Sequence, residues 1–248
     1  MDLVSVVIPY YKKKKFIKQG ILSVLSQSYK NLEIFIIYDD ETKTDLDFIN
    51  NIKNLDARIK LIINKKNLGA GNSRNKAIEN SKGKFIAFLD SDDIWHPLKL
   101  SKQIEFMNKN NFPITHTSYN IVDEANKKVG NRFAINLKFS DLLKSCDIGL
   151  STVILEKKLL HNIRFSNLKT KEDYVLWLQL TKKGYEFKAF EEYLTDWRLT
   201  SNSLSSSTIQ KLLDGFRVYN KFMNFYFFLS LYYLFFLSLN YLKKRIND

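Results

Sequence analysis

The stretch that decides the fold is Phe85-Ile-Ala-Phe-Leu89, which runs directly into Asp90-Ser91-Asp92-Asp93. Five apolar residues in succession predict a strand that is buried on both faces of an α/β sheet. Ligands of such sheets bind beyond the carboxyl ends of the strands. Asp90 and Asp92 flank Ser91, so both carboxylates can reach one hard cation such as Mg²⁺ or Mn²⁺. The alternative is a helix N-cap, in which these acids only close a turn.

Three more apolar segments predict strands of the same sheet. They are residues 4–8, which Pro9 is expected to end, then residues 32–38 and residues 59–63. Helical patterns follow the first and the third, so the order is strand, helix, strand, helix, which is typical of a parallel, right-handed α/β sheet. The second strand also runs into paired acids, Asp39-Asp40. Acidic side chains are therefore expected at two strand ends.

Six motifs in this order make the chain similar to the family 2 glycosyltransferases. The motifs are Val6-Val-Ile-Pro9-Tyr10, Gln27-Ser-Tyr29 through Asp39-Asp40, Asn67-Leu-Gly69 through Arg74-Asn75, Leu89-Asp90-Ser-Asp92-Asp93, Glu172-Asp173-Tyr174 with Trp177, and Trp197-Arg198 through Ser203-Leu-Ser205. The resemblance covers roughly residues 3–206, and several motifs in order are more specific than any one of them. It implies the GT-A fold of nucleotide-diphospho-sugar transferases, with a mostly parallel central sheet flanked by helices.

The resemblance also implies how the nucleotide is bound. Asp39 is expected to hydrogen-bond the uracil ring, and Pro9 and Tyr10 to form the wall beside the base. Asp40 is placed among the donor-binding residues. The family usually carries Gly-Ser after the paired acids, where this chain has Glu41-Thr42, so the role of Asp40 stays open.

The same resemblance assigns the diphosphate and the metal. Arg74 is similar to the arginine that reaches the nucleotide, and Asp90 and Ser91 are expected to contact the donor. Asp90 and Asp92 resemble the acids that position Mn²⁺ or Mg²⁺. A bound dication stabilises the charge that grows on a departing diphosphate, which gives this assignment a physical reason.

A second group of residues is expected on the acceptor side. Asp173 resembles the general base of the family, and a carboxylate with a pKa of roughly 4 is ionised at neutral pH. The alternative is that Glu172 and Asp173 only cap the helix that follows. Glu172, Trp177 and Arg198 are candidate contacts of the donor or acceptor. Weaker candidates are Thr117, Ser118, Tyr119 and Thr152, and residues 200–208 are expected to form a lid over the donor.

Other chemistries find no support in the residues. The three histidines lack the short spacings of a metal site. Cys146 is the one cysteine, which excludes a disulfide framework and fits a reducing compartment. Gly69-Ala-Gly71 matches neither a P-loop nor a dinucleotide fingerprint. A nucleotidyltransferase on a related sheet and a non-catalytic, membrane-bound scaffold remain as alternatives.

The charge and the C-terminal segment indicate a membrane partner. The 248 residues carry a net charge of +13, but no nucleic-acid module is recognisable, so an anionic membrane surface explains the charge better. Residues 222–242 are uncharged and rich in aromatics, with basic residues on both sides. We expect residues 1–206 to form the catalytic domain and residues 207–248 a hydrophobic helical tail. Interfacial attachment is favoured over a span, because both flanks are basic, and a dimer interface or a buried hairpin are further alternatives.

The sequence therefore predicts a metal-dependent, inverting glycosyltransferase of the hexosyltransferase type. It would transfer a sugar from a nucleoside diphosphate sugar, a UDP-sugar in this interpretation, to a lipid-linked saccharide. The resemblance places such an enzyme in bacterial surface polysaccharide biosynthesis. Its expected location is the cytoplasmic face of the plasma membrane, as a peripheral or tail-anchored protein.

Overall fold

One sheet of nine strands organises the chain in the computed structural model, which describes residues 1–200 and 207–246, with side chains as far as Lys243. The strands are β1 (Val4–Tyr10), β2 (Leu32–Tyr38), β3 (Ile59–Ile63), β4 (Phe85–Phe88), β5 (Ile94–Trp95), β6 (Ile114–Val122), β7 (Lys128–Arg132), β8 (Ile154–Glu156) and β9 (Lys188–Arg198). They lie in the order β3-β2-β1-β4-β8-β6-β9-β5, and β7 pairs with β6. The half formed by β3, β2, β1 and β4 is parallel. Beyond β4 the pairs are antiparallel, except for the parallel pair of β6 and β9.

Helices cover both faces of this sheet. They are α1 (Lys14–Leu25), α2 (Leu46–Lys53), α3 (Ala70–Asn80), α4 (Lys99–Asn110), α5 (Phe139–Leu142), α6 (Glu172–Lys182), α7 (Thr208–Arg217) and α8 (Phe227–Ile246). Successive strand residues point to opposite faces, so the side chains of β1 contribute to two hydrophobic cores, one on each face of the sheet. Val6 and Ile8 pack with Ile21 of α1, whereas Val7 packs with Trp177 of α6. β4 is buried on both faces, as its apolar run predicts, and so are β1 and β2, whereas β3 is partly exposed.

Pro9 lies inside β1 and does not end it. Alternate residues of β1 face β2 and β4: the Tyr10 carbonyl accepts from Asp39 N, and the Val7 carbonyl accepts from Leu89 N. The nitrogen of Pro9 therefore points to the side where β4 ends at Phe88. A missing N–H costs nothing there, because no strand continues on that side.

Strands β5 and β7 and helix α2 are not predicted from the sequence. Helix α2 was not predicted, since its eight residues bury only Ile49 and Ile52 and carry three Asn or Asp residues with low helix propensity. The sequence also predicts a short strand over residues 187–190. In the structure β9 extends from Lys188 to Arg198 and brings Trp197 and Arg198 into the sheet.

The C-terminal segment is helical, but it packs on the domain. A π-helical turn over Val218–Phe222 follows α7, and α8 begins only at Phe227 after Asn224 with φ of 59°. Residues 222–242 are thus not one continuous helix. Val218, Tyr219, Met223 and Leu237 are buried in the same core as Tyr174 of α6. No helix within residues 1–200 and 207–246 is both long and apolar enough to cross a membrane.

Candidate functional site

Acidic turns from two strands meet at the carboxyl edge of the parallel half of the sheet. β1 pairs with β2 on one side and β4 on the other, so the ends of all three strands are adjacent. Asp39-Asp40 follow β2, and residues 90–93, here called the acid loop, follow β4. The sequence expectation that acids gather at this edge is confirmed by the pairing.

Arg74 of α3 ties the acid loop to α6. Its Nη2 donates to Asp90 Oδ1 and its Nη1 donates to Glu172 Oε1, both at 2.7 Å. The Arg74 side chain is only 4% exposed, and burial disfavours its charge. The two carboxylates outweigh that effect and raise the pKa of Arg74 above its ordinary value. Arg74 is thus a permanent cation, and its buried Nε has no partner among the described residues.

Each acid of the metal motif carries one bound oxygen and one free oxygen. Asp90 Oδ1 accepts from Arg74, and Asp92 Oδ2 lies 2.8 Å from Lys13 Nζ. Asp90 Oδ2 and Asp92 Oδ1 accept no hydrogen bond from the described residues. Burial raises the pKa of Asp90, and the charge of Asp92 adds to the rise while Arg74 opposes it. Two free carboxylate oxygens fit a hard cation.

Within the described ranges no group of three or more His, Cys, Asp and Glu side chains has the geometry of a complete metal site. The two aspartates alone would leave most positions of an octahedral cation to waters and phosphate oxygens. That arrangement is usual for Mg²⁺ at phosphate-transfer sites. The residues present therefore fit a metal that is shared with a phosphate-bearing substrate.

Asp93 and Arg198 fix the shape of the acid loop. Asp93 is buried and accepts from Ser151 Oγ at 2.5 Å and from Arg198 N at 2.9 Å. Burial, together with the charges of Asp92 and Asp90, raises the pKa of Asp93 well above its ordinary value. Arg198 donates to the Asp92 carbonyl at 2.7 Å and to Gln19 at 3.0 Å. Arg198, predicted as a substrate contact, thus forms its hydrogen bonds within the protein. Ser91, predicted as a donor contact, is buried within this loop.

The paired acids after β2 differ in how many of their oxygens the described residues occupy. Both oxygens of Asp39 are used by the loop before α3: Oδ1 accepts from Asn64 Nδ2 and Leu68 N, and Oδ2 accepts from Gly69 N. Asp40 Oδ1 accepts from the N and Oγ1 of Thr42, while its buried Oδ2 has no partner within residues 1–200 and 207–246. The geometry favours Asp40 over Asp39 as the acceptor for a ligand. Thr42 thus supplies a hydroxyl next to Asp40.

Tyr10, predicted as a wall beside the base, is fully buried. Its ring stacks on Tyr38 at 5.4 Å, and its hydroxyl donates to Asp45 Oδ2 at 2.7 Å. Burial, with the help of this hydrogen bond, raises the pKa of Tyr10 far above its ordinary value. The exposed aromatic of this turn is Tyr11, at 36%. Tyr10 therefore packs under the ends of β1 and β2 and stabilises them. Pro9 lies next to it in β1.

Asp173 lies in the first turn of α6, next to Glu172. Burial raises the pKa of Asp173 to about 7, and Glu172 adds to the rise while Arg74 opposes it. The expected value near 4 is therefore wrong, because burial and the neighbouring acids outweigh the effects of Arg74 and of the hydrogen bond from Tyr174 N. A carboxylate with a pKa near neutrality is well suited to accept a proton.

Several predicted contacts belong to the interior. Trp177 is fully buried and packs edge-on against Phe88, Phe165 and Phe187. Ser118 accepts from Ala134 N, and Thr152 donates to the Gly149 carbonyl. Thr117 Oγ1 is buried and finds no hydrogen-bond partner among the residues described, and the Tyr119 ring lies against Trp197. The expected lid over residues 200–208 falls mostly on residues 201–206, which lie outside the described part of the chain.

Sequence comparison relates the whole chain to known enzymes. The family model Glycosyl transferase family 2 matches residues 5–178. TuaG of Bacillus subtilis, named as a glycosyltransferase of teichuronic acid biosynthesis, is 32% identical over 246 residues, 98% of each chain. WfaP of Escherichia coli, a UDP-Glc:alpha-D-GlcNAc-diphosphoundecaprenol beta-1,3-glucosyltransferase by name, is 38% identical over 215 residues, 86% of this chain and 84% of WfaP.

Solved structures share the fold. TarS of S. aureus in complex with UDP-GlcNAc superposes with a TM-score of 0.69 at 21% identity, over 90% of this chain and 65% of that chain. The mannosyltransferase PcManGT of Pyrobaculum calidifontis, in complex with GDP-Man and Mn²⁺, gives a TM-score of 0.69 at 12% identity, with the same coverage of both chains. At such identities the likeness shows the fold alone. The family match and the relatives together show that this chain belongs to glycosyl transferase family 2 and is a glycosyltransferase.

Proposed function

We propose that the enzyme transfers a sugar from a UDP-sugar to a saccharide linked to a lipid diphosphate, with a divalent metal at the acid loop. The observation that carries the proposal is the 38% identity to WfaP over 215 residues, because that relative is named for a UDP-Glc donor and a diphosphoundecaprenol acceptor. The complex of TarS with UDP-GlcNAc supports the donor class. A place in surface polysaccharide biosynthesis agrees with both.

In our proposal Asp40 is the residue that binds the uracil ring of the donor. Its Oδ2 is buried and receives no hydrogen bond from the part of the chain that the structure describes, while Thr42 donates to the other oxygen. The imide N–H of a uracil ring is a suitable donor for that oxygen, and an unsatisfied buried acceptor is costly until such a donor arrives. Asp39 would act indirectly, because its carboxylate organises the loop from Asn64 to Gly69.

Asp90 and Asp92 would hold Mn²⁺ or Mg²⁺ through their free oxygens, together with the donor diphosphate. A dication bound there offsets the negative charge that grows on the diphosphate when the sugar–phosphate bond breaks. Arg74 adds a fixed positive charge beside Asp90. Asp93 and Arg198 keep the acid loop in its conformation before the substrate binds.

Asp173 is the proposed general base. Its carboxylate would take the proton of the acceptor hydroxyl as that oxygen attacks the anomeric carbon and the diphosphate leaves from the opposite side. One displacement without a covalent intermediate inverts the anomeric centre, so an α-linked donor gives a β-linked product. A pKa of about 7 lets Asp173 release and take a proton near neutral pH.

The test is a transfer assay with a synthetic lipid diphosphate that carries GlcNAc, a panel of UDP-sugars, and Mn²⁺. We expect one UDP-sugar to give a β-linked disaccharide lipid, and Asp173→Asn to abolish transfer while the variant still binds UDP. A retained anomeric configuration in the product contradicts the single displacement. Product formed from GDP-sugars and from no UDP-sugar contradicts the donor assignment.

We also propose that the enzyme attaches to the cytoplasmic face of the membrane through α7 and α8. Ile209, Phe228 and Phe235 are 73%, 76% and 59% exposed, which is unusual for such large apolar side chains. Close by, a cavity of about 510 Å³ is lined by Lys169, Arg217 and Lys221 among others. Aromatic side chains next to cations suit an anionic lipid surface.

Vesicle sedimentation tests this attachment. The wild-type protein should bind vesicles that contain phosphatidylglycerol and should bind pure phosphatidylcholine vesicles more weakly. Phe228→Ser combined with Phe235→Ser should lower binding while the melting temperature stays near that of the wild type. Equal binding by the double variant contradicts the assignment of this face.

A further inference from the structure

We propose that Lys13 is a tethered counter-ion of the metal site: its ammonium group holds Asp92 in the donor-free enzyme and leaves when a divalent cation binds. Lys13 Nζ lies 2.8 Å from Asp92 Oδ2 and donates to Thr200 Oγ1 at 2.7 Å. Thr200 Oγ1 in turn donates to Asp92 Oδ2 at 3.3 Å. The three groups form a closed triangle, and the side chains of Lys13 and Asp92 are each 17% exposed.

This contact is specific to one lysine in a run of four. Lys14 lies 3.4 Å from Asp45 with its side chain 57% exposed, and Lys15 contacts Glu124 with its side chain 65% exposed. Lys13 is the least exposed of these three and the one that reaches the acid loop. Lys12, with φ of 50°, turns the chain just before it. The basic run is therefore not a uniform solvated face, and its other members are natural controls.

Charge explains why a cation is needed at Asp92 before the metal arrives. The acid loop places the carboxylates of Asp90, Asp92 and Asp93 within four residues, so their negative charges repel one another. Arg74 neutralises the Asp90 side and is locked in place by Glu172. Lys13 supplies the corresponding positive charge on the Asp92 side. Arg74 is held by two carboxylates, whereas the ammonium group of Lys13 is held by one carboxylate and one hydroxyl.

A dication cannot share Asp92 with this ammonium group without strong repulsion. Like charges a few ångströms apart repel each other strongly in a partly buried site. Lysine has a flexible four-carbon stem, so its head group can move away while the backbone stays in place. Departure of Lys13 also breaks its hydrogen bond to Thr200, which follows β9. Metal binding is thereby coupled to the position of Thr200. The inference rests on the proposed metal role of Asp92.

Amine labelling of the intact enzyme tests the pairing directly. The protein is treated briefly with an acylating reagent, with and without Mn²⁺ alone, and the modified lysines are measured by mass spectrometry. We expect Lys13 to react slowly without metal and roughly fivefold faster with Mn²⁺, as release from a salt bridge of about 1 kcal/mol implies. Lys14 and Lys15 should not change. In Asp92→Asn, Lys13 should react fast without any metal.

Affinity for Mn²⁺ provides the second measurement. Lys13→Met should bind Mn²⁺ alone roughly five- to tenfold more tightly than the wild type, because no ammonium group competes for the carboxylate. Lys14→Met should bind like the wild type. Calorimetry measures both, and circular dichroism checks that each variant is folded. If Lys13→Met fails to fold, labelling of the wild type still decides.

Three outcomes overturn the inference. They are Mn²⁺ binding to the wild type without a change in Lys13 reactivity, equal or weaker binding by folded Lys13→Met, and binding to neither protein. The transfer assay is separate from all of them. An enzyme that transfers sugar while Lys13 stays unreactive contradicts only this inference, whereas a released Lys13 without any transfer contradicts the proposed function.

Discussion

Arg74 and Glu172 form an ion pair at 2.7 Å although 98 residues separate them in sequence. The same guanidinium holds Asp90, so Arg74→Met would leave two carboxylates without their buried partner. Breaking a buried pair costs about 3–5 kcal/mol. We expect a fall in the melting temperature and a loss of transfer for Arg74→Met. Arg74→Lys should recover part of the stability, because an ammonium group cannot donate to both acids in this geometry.

The control for Arg74 is Arg58→Met. Arg58 pairs with Asp56, but its side chain is 29% exposed, and pairs near the surface contribute little. Differential scanning fluorimetry and the transfer assay measure both variants. Equal melting temperatures for Arg74→Met and Arg58→Met would show that the bridge of Arg74 does not stabilise the fold.

The two acids after β2 should respond differently to the same substitution. Asp40→Asn should weaken UDP binding roughly ten- to a hundredfold, since a hydrogen bond to a charged group contributes about 1.5–3 kcal/mol. Its melting temperature should change little. Asp39→Asn turns an amide group toward donors from Asn64, Leu68 and Gly69, so we expect it to lower the melting temperature. Calorimetry with UDP and thermal melting separate the two. The reverse pattern would indicate that Asp39, and not Asp40, contacts the uracil ring.

The rate of transfer should depend on the protonation of Asp173. Its pKa of about 7 means that the base form is lost as the pH falls below 7, so turnover should drop about tenfold per pH unit below that value. Transfer by Asp173→Asn should be roughly 10² to 10⁴ times slower at pH 8. Asn caps helices about as well as Asp, so an active Asn variant would leave Asp173 with a capping role only.

Ionisation of Asp173 should also lower the free energy of unfolding at high pH. Its folded-state pKa is raised above the ordinary value of 3.8, so the folded protein holds this proton more tightly than the unfolded chain does. That contribution to stability is lost as the pH rises from about 4 toward about 7. Asp173→Asn should therefore melt at a higher temperature than the wild type at pH 8. A lower melting temperature for this variant contradicts the raised pKa.

Lys99 is a fully buried lysine without a carboxylate among its hydrogen-bond partners. Its Nζ donates to Gln103 Oε1 at 2.7 Å and lies 4.6 Å from the centre of the Trp95 ring. Burial lowers the pKa of Lys99 well below its ordinary value. The unfolded chain then binds more protons, so wild-type stability should rise with pH. Lys99→Met should remove this dependence and melt roughly 2–4 °C higher at pH 7. The control is Lys102→Met, at an exposed position of α4. It should change neither the pH dependence of stability nor the melting temperature.

Truncation tests whether residues 207–248 are a separate tail. Since Tyr219, Met223 and Leu237 are buried against α6, removal of residues 207–248 should expose core and lower the melting temperature. Loss of donor hydrolysis should accompany it, because Asp173 lies on α6. Sedimentation and hydrolysis of UDP-sugars measure the two effects. A stable, active fragment of residues 1–206 would support the domain boundary expected from the sequence.

The parallel half of the sheet and its acidic edge could be predicted because both are local. Phe85–Phe88 and Leu32–Tyr38 are apolar runs, and each is followed at once by carboxylates. Apolar periodicity and the position of acids are visible along the chain without knowledge of contacts. The same holds for Asp173 at the start of α6, whose position was predicted although its pKa was not.

What could not be predicted depends on contacts between distant residues. Asp93 is held by Ser151 across 58 residues, and Lys13 reaches Thr200 across 187. The choice between Asp39 and Asp40 depends on which oxygens the loop before α3 occupies, and no pattern in the sequence reveals that. Burial of Tyr219 against Tyr174 likewise depends on how α7 and α8 turn back onto α6.

The hydrogen bond between the hydroxyls of Tyr174 and Tyr219 limits when α6 can be fully packed during synthesis of the chain. Tyr219 is synthesised 45 residues after Tyr174. The strands of the parallel half can pair earlier, because domains begin to fold while the chain emerges. The buried flank of α6 has no cover until α7 and the turn after it have left the ribosome. The helix that carries Asp173 is therefore completed late, and a nascent chain can already hold its acid loop before the proposed proton acceptor has its final surroundings.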